Sequence, residues 1–279
     1  MVGVLYIVAT PIGNLEDITL RALRVLKEAD AIAAEDTRRT QKLLSHYDIH
    51  TPLTSYHEHN ERTKAPALVE RLICGERIAL VSDAGTPAIS DPGYRLVVAA
   101  VAAGVQVTPI PGPAALTAAL SAAALPTDRF VFEGFLPEKT KQRRERLRML
   151  HDERRTLVFY EAPHRLKDSL DDIEAMLGDR TIVIAREVSK IHEEFVRGRI
   201  SEIITGIADR ETRGEIVIVV HGSTGESGAS EELLRKDIVN LQASGMRVKE
   251  IADLLGEKYS FPKKRIYRIA LDLGKDFNR

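Results

Sequence analysis

Four short apolar runs in the first 110 residues, Val4–Ala9, Ala31–Ala34, Ile78–Val81 and Val105–Ile110, each end abruptly in a loop of small or polar residues. Runs this short and this apolar read as buried strands, and between them lie the helical patterns Asp17–Ala29, Lys64–Cys74 and Tyr94–Ala103. Strands alternating with helices predict a largely parallel sheet. Ligands of such sheets sit beyond the carboxyl ends of the strands, so the loops after the runs are where chemistry is to be sought. The loop Ser82–Gly93, SDAGTPAISDPG, is the most informative of them. Ala84 and Gly85 leave room for a ligand to reach backbone N–H and C=O groups, and Pro87 stiffens the path. Thr10–Asn14 and Pro111–Ala115 are built alike. None of the three is a phosphate-cradling G-x-x-x-x-G-K-[ST] or a G-x-G-x-x-G fingerprint. Backbone-lined loops without lysine suit adenine, ribose and a compact polar tail better than a triphosphate. Each loop taken singly is equally compatible with a structural turn.

The pattern restarts after the Ala-rich segment Ala114–Ala124, with strands expected at Phe130–Glu133, Thr156–Tyr160, Thr181–Ala185 and Glu215–Val220, and a helix at Arg165–Leu177. The expected organisation is an N-terminal α/β domain over residues 1–115, a second α/β domain over 116–222, a Gly/Ser-rich linker at Gly222–Gly228 and a helical tail over 230–279. The length of 279 residues is enough for two cores. With 40 Lys+Arg against 41 Asp+Glu, the chain is not covered by a nucleic-acid-binding field, although local basic patches remain open to it. Cys74, the only cysteine, excludes an intrachain disulfide and reads as a core thiol. No apolar stretch is long enough to span a bilayer and no leader precedes Val4, which points to a cytoplasmic protein with no membrane association. His57 and His59 share a face but lack a third ligand at a convincing spacing, so no metal is expected.

Seven blocks occur in a fixed order: LYIVATPIGNLEDIT, AAEDTRRT, LVSDAGTPAISDPG, PIPGPAA, DRFVFEGFLP, LVFYEAPHR and RGEIVIVV. Together they resemble the tetrapyrrole-methylase-like family of S-adenosylmethionine-dependent methyltransferases, and within it the branch acting on small-subunit ribosomal RNA. The resemblance covers nearly the whole chain. It implies two α/β domains with a cleft for S-adenosylmethionine between them, a homodimer, and methyl transfer to the ribose 2′-hydroxyl of a cytidine in 16S rRNA of the small ribosomal subunit. By position it implies donor contacts at Pro11, at Ala84, Gly85, Thr86 and Ile89, at Ala114 and Ala115, at Tyr160 and Glu161, and at Gly214 and Glu215. Thr86 stands where tetrapyrrole enzymes carry aspartate, which favours backbone shaping over a charged contact there.

A ribose hydroxyl is a weak acid, so a carboxylate or histidine beside it can accept its proton. The strand-end candidates are Asp83, Glu161, Glu35, Asp36 and His164, with Asp83 and Glu161 preferred because their loops are expected to line the cleft. Each is equally readable as a hydrogen-bonding loop residue. For RNA, the densest basic run holds Lys139, Lys141, Arg143 and Arg144, and Arg38, Arg39 and Arg165 follow strand ends near the cleft. The alternative for the run is a solvated helix face with Leu147 and Leu150 turned inward. The tail pairs an amphipathic helix, Val248–Leu255 with a glycine stop at Gly256, with a basic helix start at Lys263 and Lys264. That layout is helix-turn-helix-like, or a plain helical packing module. Two other functions stay open on these residues: a tetrapyrrole C-methyltransferase, and a non-enzymatic nucleic-acid-binding regulator.

Overall fold

The computed structural model describes residues 2–207, 214–224, 228–259 and 263–276. The first sheet joins β1 (Val4–Val8), β2 (Ala31–Ala34), β3 (Leu53–Ser55), β4 (Arg77–Val81) and β5 (Gln106–Ile110) in the order β3-β2-β4-β1-β5, with every pair parallel. Ala31–Ala34 is buried throughout and Ile78–Val81 likewise, as unbroken apolar strands in a two-sided layer should be. Pro109 is accommodated because β5 is an edge strand, where a missing N–H costs no ladder bond. Helices α1 (Leu20–Glu28) and α2 (Thr37–His46) cover one face through Val25, Leu26 and Leu44. Helices α3 (Glu61–Ile73) and α4 (Tyr94–Ala102) cover the other through Leu68, Leu72, Leu96 and Ala100. The first helix starts later than its apolar pattern predicts, because Thr19 caps it by accepting the Ala22 N–H at 3.1 Å.

The second sheet joins β6 (Phe130–Phe135), β7 (Thr156–Glu161), β8 (Thr181–Arg186), β9 (Glu194–Arg199) and β10 (Ile216–Val220) in the order β6-β7-β10-β8-β9. Only β6 and β7 run parallel; the pairs through β10 and β8 are antiparallel. Helix α5 (Ala115–Ala122) packs Ala119 and Leu120 on Val158, Val217 and Val219 of this sheet. Helices α6 (Thr140–Met149), α7 (Leu166–Leu177) and α8 (Ile200–Ile207) cover its opposite face through Leu147, Leu170, Ile173 and Ile203. Both sheets lie in one compact unit, residues 1–222, and residues 223–279 form another. In the latter, α9 (Gly228–Ala243), α10 (Val248–Tyr259) and α11 (Lys263–Asp276) surround Leu234, Ile238, Ile251, Leu255, Ile266 and Ala270.

Two expectations are corrected here. Helix α10 runs through Gly256 to Tyr259 instead of stopping at the glycine. Cys74 is exposed, because it is the C-cap of α3 and not part of its apolar face. Residues 225–227 of the expected linker, and Pro262 before the basic helix, lie outside the described residues. The fold class is as expected, α/β with two sheets and a helical C-terminal module. No helix among the described residues is long and apolar enough to cross a membrane.

Candidate active site

Parallel strands bring all their carboxyl ends to one edge, so the loops after β1, β2, β4 and β5 meet there. The first of these contacts is a short antiparallel bridge: Thr10 N–H donates to Gly85 C=O at 2.9 Å, and Gly85 N–H donates to Thr10 C=O at 3.0 Å. In the second sheet, antiparallel pairing places Ile216 opposite Glu161, so the end of β7 and the start of β10 share an edge. Loops from the two edges enclose a cleft of about 550 Å³, in the range of small-molecule sites. One wall is Ile12, Ala84, Gly85, Thr86, Ile89 and Ala114–Leu116; the other is Tyr160–Pro163, Val188 and Gly214–Val217.

The wall is shaped by backbone conformations that side chains ordinarily avoid. Gly85 has φ +78°, and Gly93 has φ +145° with Leu80 and Ala88 crowding the place a Cβ would take. Ala88 and Ser90 also lie in the left-handed region, at φ 69° and 62°, which costs on the order of 1–3 kcal/mol each. This turn presents Ile89 and Asp91 to the cleft. Across from it, Ser90 approaches Gly134, which sits in a bulge of β6. Tyr160 hydroxyl accepts the Leu116 N–H at 3.2 Å, and its ring meets Phe132 and Phe135 edge-on. Burial pushes the Tyr160 phenol above its ordinary range.

Of the residues expected in the donor site, Ala84, Gly85, Thr86, Ile89, Ala114, Ala115, Tyr160, Glu161, Gly214 and Glu215 are brought together around this cleft. From the first loop it is Ile12, not Pro11, that lines it. Asp83 and Glu161 both reach it, but their oxygens have partners. Asp83 accepts the Asp36 N–H at 2.9 Å and pairs with Arg39 at 3.2 Å. Glu161, 2% exposed, accepts the Ala162 N–H and the Ser169 hydroxyl and faces Arg165 at 3.2 Å. Glu35 also lines the cleft, with its carboxyl raised by burial. His164 is exposed and not among the lining residues. The residue missed in the sequence is Asp91. Burial first, then the neighbouring Glu35, Asp83 and Glu215 carboxylates, push it up to about 7 against a hydrogen bond with Ser82. Its place inside the motif ISDPG gave no local sign of this.

The basic residues divide sharply. Arg143 is not available to RNA: its side chain is 4% exposed and locked at 2.6 Å to the equally buried Asp172. Arg165 is turned inward to Glu161 and the Leu136 carbonyl. Both are corrections, and the reason is the same, since a guanidinium inside a core must be paired. Arg144 is half-exposed while sharing Asp172. Lys139 and Lys141 are exposed at the start of α6. Arg38 is exposed and paired with Asp36, and Arg39 stands at the cleft itself. In the tail, Lys263 pairs with Asp253 at 2.6 Å and Lys264 is exposed. The His57 ring contacts Asn60 and stands edge-on to His59, and no cluster of three metal-ligating side chains occurs among the described residues.

Residues 4–204 match the family model described as Tetrapyrrole (Corrin/Porphyrin) Methylases. The chain is 51% identical to the ribosomal RNA small subunit methyltransferase I of Halalkalibacterium halodurans over 273 residues, 96% of this chain and 94% of that protein. It is 49% identical to the protein of the same name from Escherichia coli O157:H7, over 97% of this chain and 95% of the relative. Among solved structures, the cobalt precorrin-4 methyltransferase of cobalamin biosynthesis matches with TM-score 0.58 and 20% identity, covering 78% of this chain and 94% of that one. Uroporphyrin-III C-methyltransferase from Thermus thermophilus, complexed with S-adenosyl homocysteine, matches with TM-score 0.55 and 19% identity, covering 78% and 97%. At these identities the structural likeness establishes the fold alone.

Proposed function

Because the chain belongs to the tetrapyrrole (corrin/porphyrin) methylase family, we propose that it transfers a methyl group from S-adenosylmethionine to 16S rRNA of the small ribosomal subunit, at the ribose 2′-hydroxyl of a cytidine. The observation that carries this reading is the likeness to small-subunit rRNA methyltransferases over almost the full length of both chains, helical tail included. A porphyrin acceptor is the second choice, since the tetrapyrrole structures cover only 78% of this chain.

The cleft suits the donor chemically. Ile12, Leu116, Val188 and Ile216 offer an apolar bed for an adenosine, and the Gly85 region offers bare backbone for its polar edges. The surrounding carboxylates Glu35, Asp83, Asp91 and Glu215 compensate the positive charge of a sulfonium and an ammonium. When bound, the donor supplies an electrophilic methyl carbon. The protein's part is to align the acceptor oxygen behind that carbon, which is largely a positioning task. Tyr160, held by the Leu116 N–H, and the strained Ala88–Ser90 turn make the two sides of the cleft stiff enough for it.

Arg38, Arg39, Lys139, Lys141, Arg144, Lys263 and Lys264 are the exposed or cleft-side cations proposed to meet RNA phosphates. Helix α4 leaves Tyr94, Val98 and Val101 exposed at helical spacing, an apolar stripe that supports the homodimer. The cytoplasm, where the ribosomal subunit is found, is the proposed location.

Tritium from labelled donor distinguishes the readings. Label in small-subunit rRNA, resistant to alkaline cleavage at one cytidine, is the expected result. Label in a porphyrinogen, or in nothing, overturns it. Sedimentation of the pure protein tests the dimer.

A further inference from the structure

The methylase family match ends at residue 204, so the helical module of residues 223–279 lies outside it. The third helix of that module, α11, has two opposite faces. Ile266, Ile269, Ala270 and Leu273 pack into the module's core with Leu234 and Ile238 of α9 and Ile251 and Leu255 of α10. Lys264, Tyr267, Arg268 and Leu271 repeat the same i, i+3, i+4, i+7 spacing on the other side, and all four are exposed. At 3.6 residues per turn they span an arc of about 100°. A phenol ring and a leucine left in water contribute nothing to folding, so packing does not account for this face.

Its charges are also uncompensated. Neither Lys264 nor Arg268 forms an ion pair among the described residues. Lys263, one position earlier, is instead tied to Asp253 of α10 at 2.6 Å, which fixes the start of α11. Asp272 is the only acidic residue in the stretch 263–273, and it is itself engaged. Lys264 and Arg268 stand about 6 Å apart along the helix axis, with the Tyr267 ring between them.

We propose that the exposed face of α11 is an RNA-binding surface in its own right. The Tyr267 ring stacks on one base of an unpaired rRNA stretch, and Lys264 and Arg268 meet the phosphates on either side. This role rests on the reading of the chain as an rRNA methyltransferase. Every base has a π face, so such a contact holds unpaired RNA without reading its sequence. In a duplex the bases already stack on one another and offer the ring no free face. Two cations flanking a ring match a phosphate backbone with a splayed base better than they match an acidic protein segment. Tethered to the methylase fold, the module raises the effective concentration of substrate, and its loss should raise KM.

The test uses the full chain and a fluorescent single-stranded oligoribonucleotide, with free 16S rRNA and intact small subunits as further probes. Tyr267→Ala should weaken oligoribonucleotide binding by about fivefold or more, the loss of one base–aromatic stack. Tyr267→Phe should bind within about twofold of wild type, because the ring and not its hydroxyl is used. Lys264→Gln and Arg268→Gln should each reduce the log–log salt slope of binding by roughly 0.7. S-adenosylhomocysteine affinity should stay within about twofold of wild type in all four variants, since residues 264–271 lie outside the family match. Ultraviolet cross-linking of the wild-type protein to the oligoribonucleotide should join it at Tyr267, an outcome independent of how the variants fold. Wild-type binding by Tyr267→Ala, an equal loss in Tyr267→Phe, or a cross-link confined to residues 1–222 overturns the proposal. So does a defect seen on intact subunits and absent on free 16S rRNA, which would identify a protein partner instead. Binding that depends on Tyr267 supports the surface even where the wild-type protein labels no rRNA, so the two readings fail separately.

Discussion

Thr10 and Gly85 exchange both of their backbone hydrogen bonds across the mouth of the cleft, at 2.9 and 3.0 Å. Two loops 75 positions apart in the chain are thereby made one rigid lip, and the lip requires Gly85 at φ +78°. A Cβ there would stand 3.5 Å from Ile12 Cγ2, so space permits it while backbone conformation opposes it.

Gly85→Ala is therefore expected to cost about 1–2 kcal/mol of stability from the left-handed conformation alone. Weaker S-adenosylhomocysteine binding should accompany it, because the strained lip relaxes away from the ligand. Urea denaturation and calorimetry check the two effects; an unchanged midpoint would mean that the loop refolds at no cost.

Asp172 accepts from both Arg143 and Arg144, and only the latter reaches solvent. Arg143→Ala leaves Asp172 a buried carboxylate with half its partners, and should lower stability by about 3 kcal/mol or more. Lys139→Ala and Lys141→Ala should leave the denaturation midpoint alone and weaken rRNA binding with a shallower salt dependence. Reversal of that pattern, with Arg143 mattering for RNA and not for folding, would contradict the buried pair.

The raised carboxyl of Asp91 makes a signed prediction about stability. Its value in the folded protein is about 7, against 3.8 for the ordinary side chain, because burial and the carboxylates of Glu35, Asp83 and Glu215 disfavour its charge. At acid pH both folded and unfolded chains carry the proton, and the group contributes no penalty. As pH rises between these values the unfolded chain gives up the proton first, so the folded state loses stability through that window. Asparagine never ionises. The melting temperature of Asp91→Asn, relative to wild type, should thus climb from about pH 4 to about pH 7 and then level off. A flat difference by calorimetry across that range would place the carboxyl at an ordinary value.

Lys190, in the turn between β8 and β9, pairs with Glu187 at 2.8 Å and with Glu215 at 3.3 Å. Its aliphatic chain lies where a Cβ on Gly13 would fall, so it bridges the first loop and the edge of the second sheet. Lys190→Ala is expected to loosen Glu215 and weaken S-adenosylhomocysteine binding several-fold, with a global stability loss under about 1 kcal/mol. Binding equal to wild type would show that this bridge does not hold the cleft.

The strands buried on both faces were legible because their signal is local: Ala31–Ala34 and Ile216–Val220 are apolar at every position, whatever they pair with. The cleft-lining loops were legible for a related reason, since small residues after an apolar run mark a strand end. Leu53–Ser55 and Glu194–Arg199 were not, being edge strands whose short or polar sequences become strands only by pairing with β2 and β8.

The alternation of strands and helices, the small-residue lip and the family blocks are all properties of neighbouring residues, and so they can be read in order along the chain. Which charges do what is set instead by contacts between distant parts of the chain. Arg143 looked like an RNA contact until Asp172, 29 positions away, was seen to hold it in the core. Asp91 looked like a turn residue until Glu35 and Glu215 were brought to it from other strand ends, beside Asp83 of its own loop. A side chain's charge state and availability are set by dielectric and by partners, and partners that come from distant parts of the chain leave no mark in its local pattern.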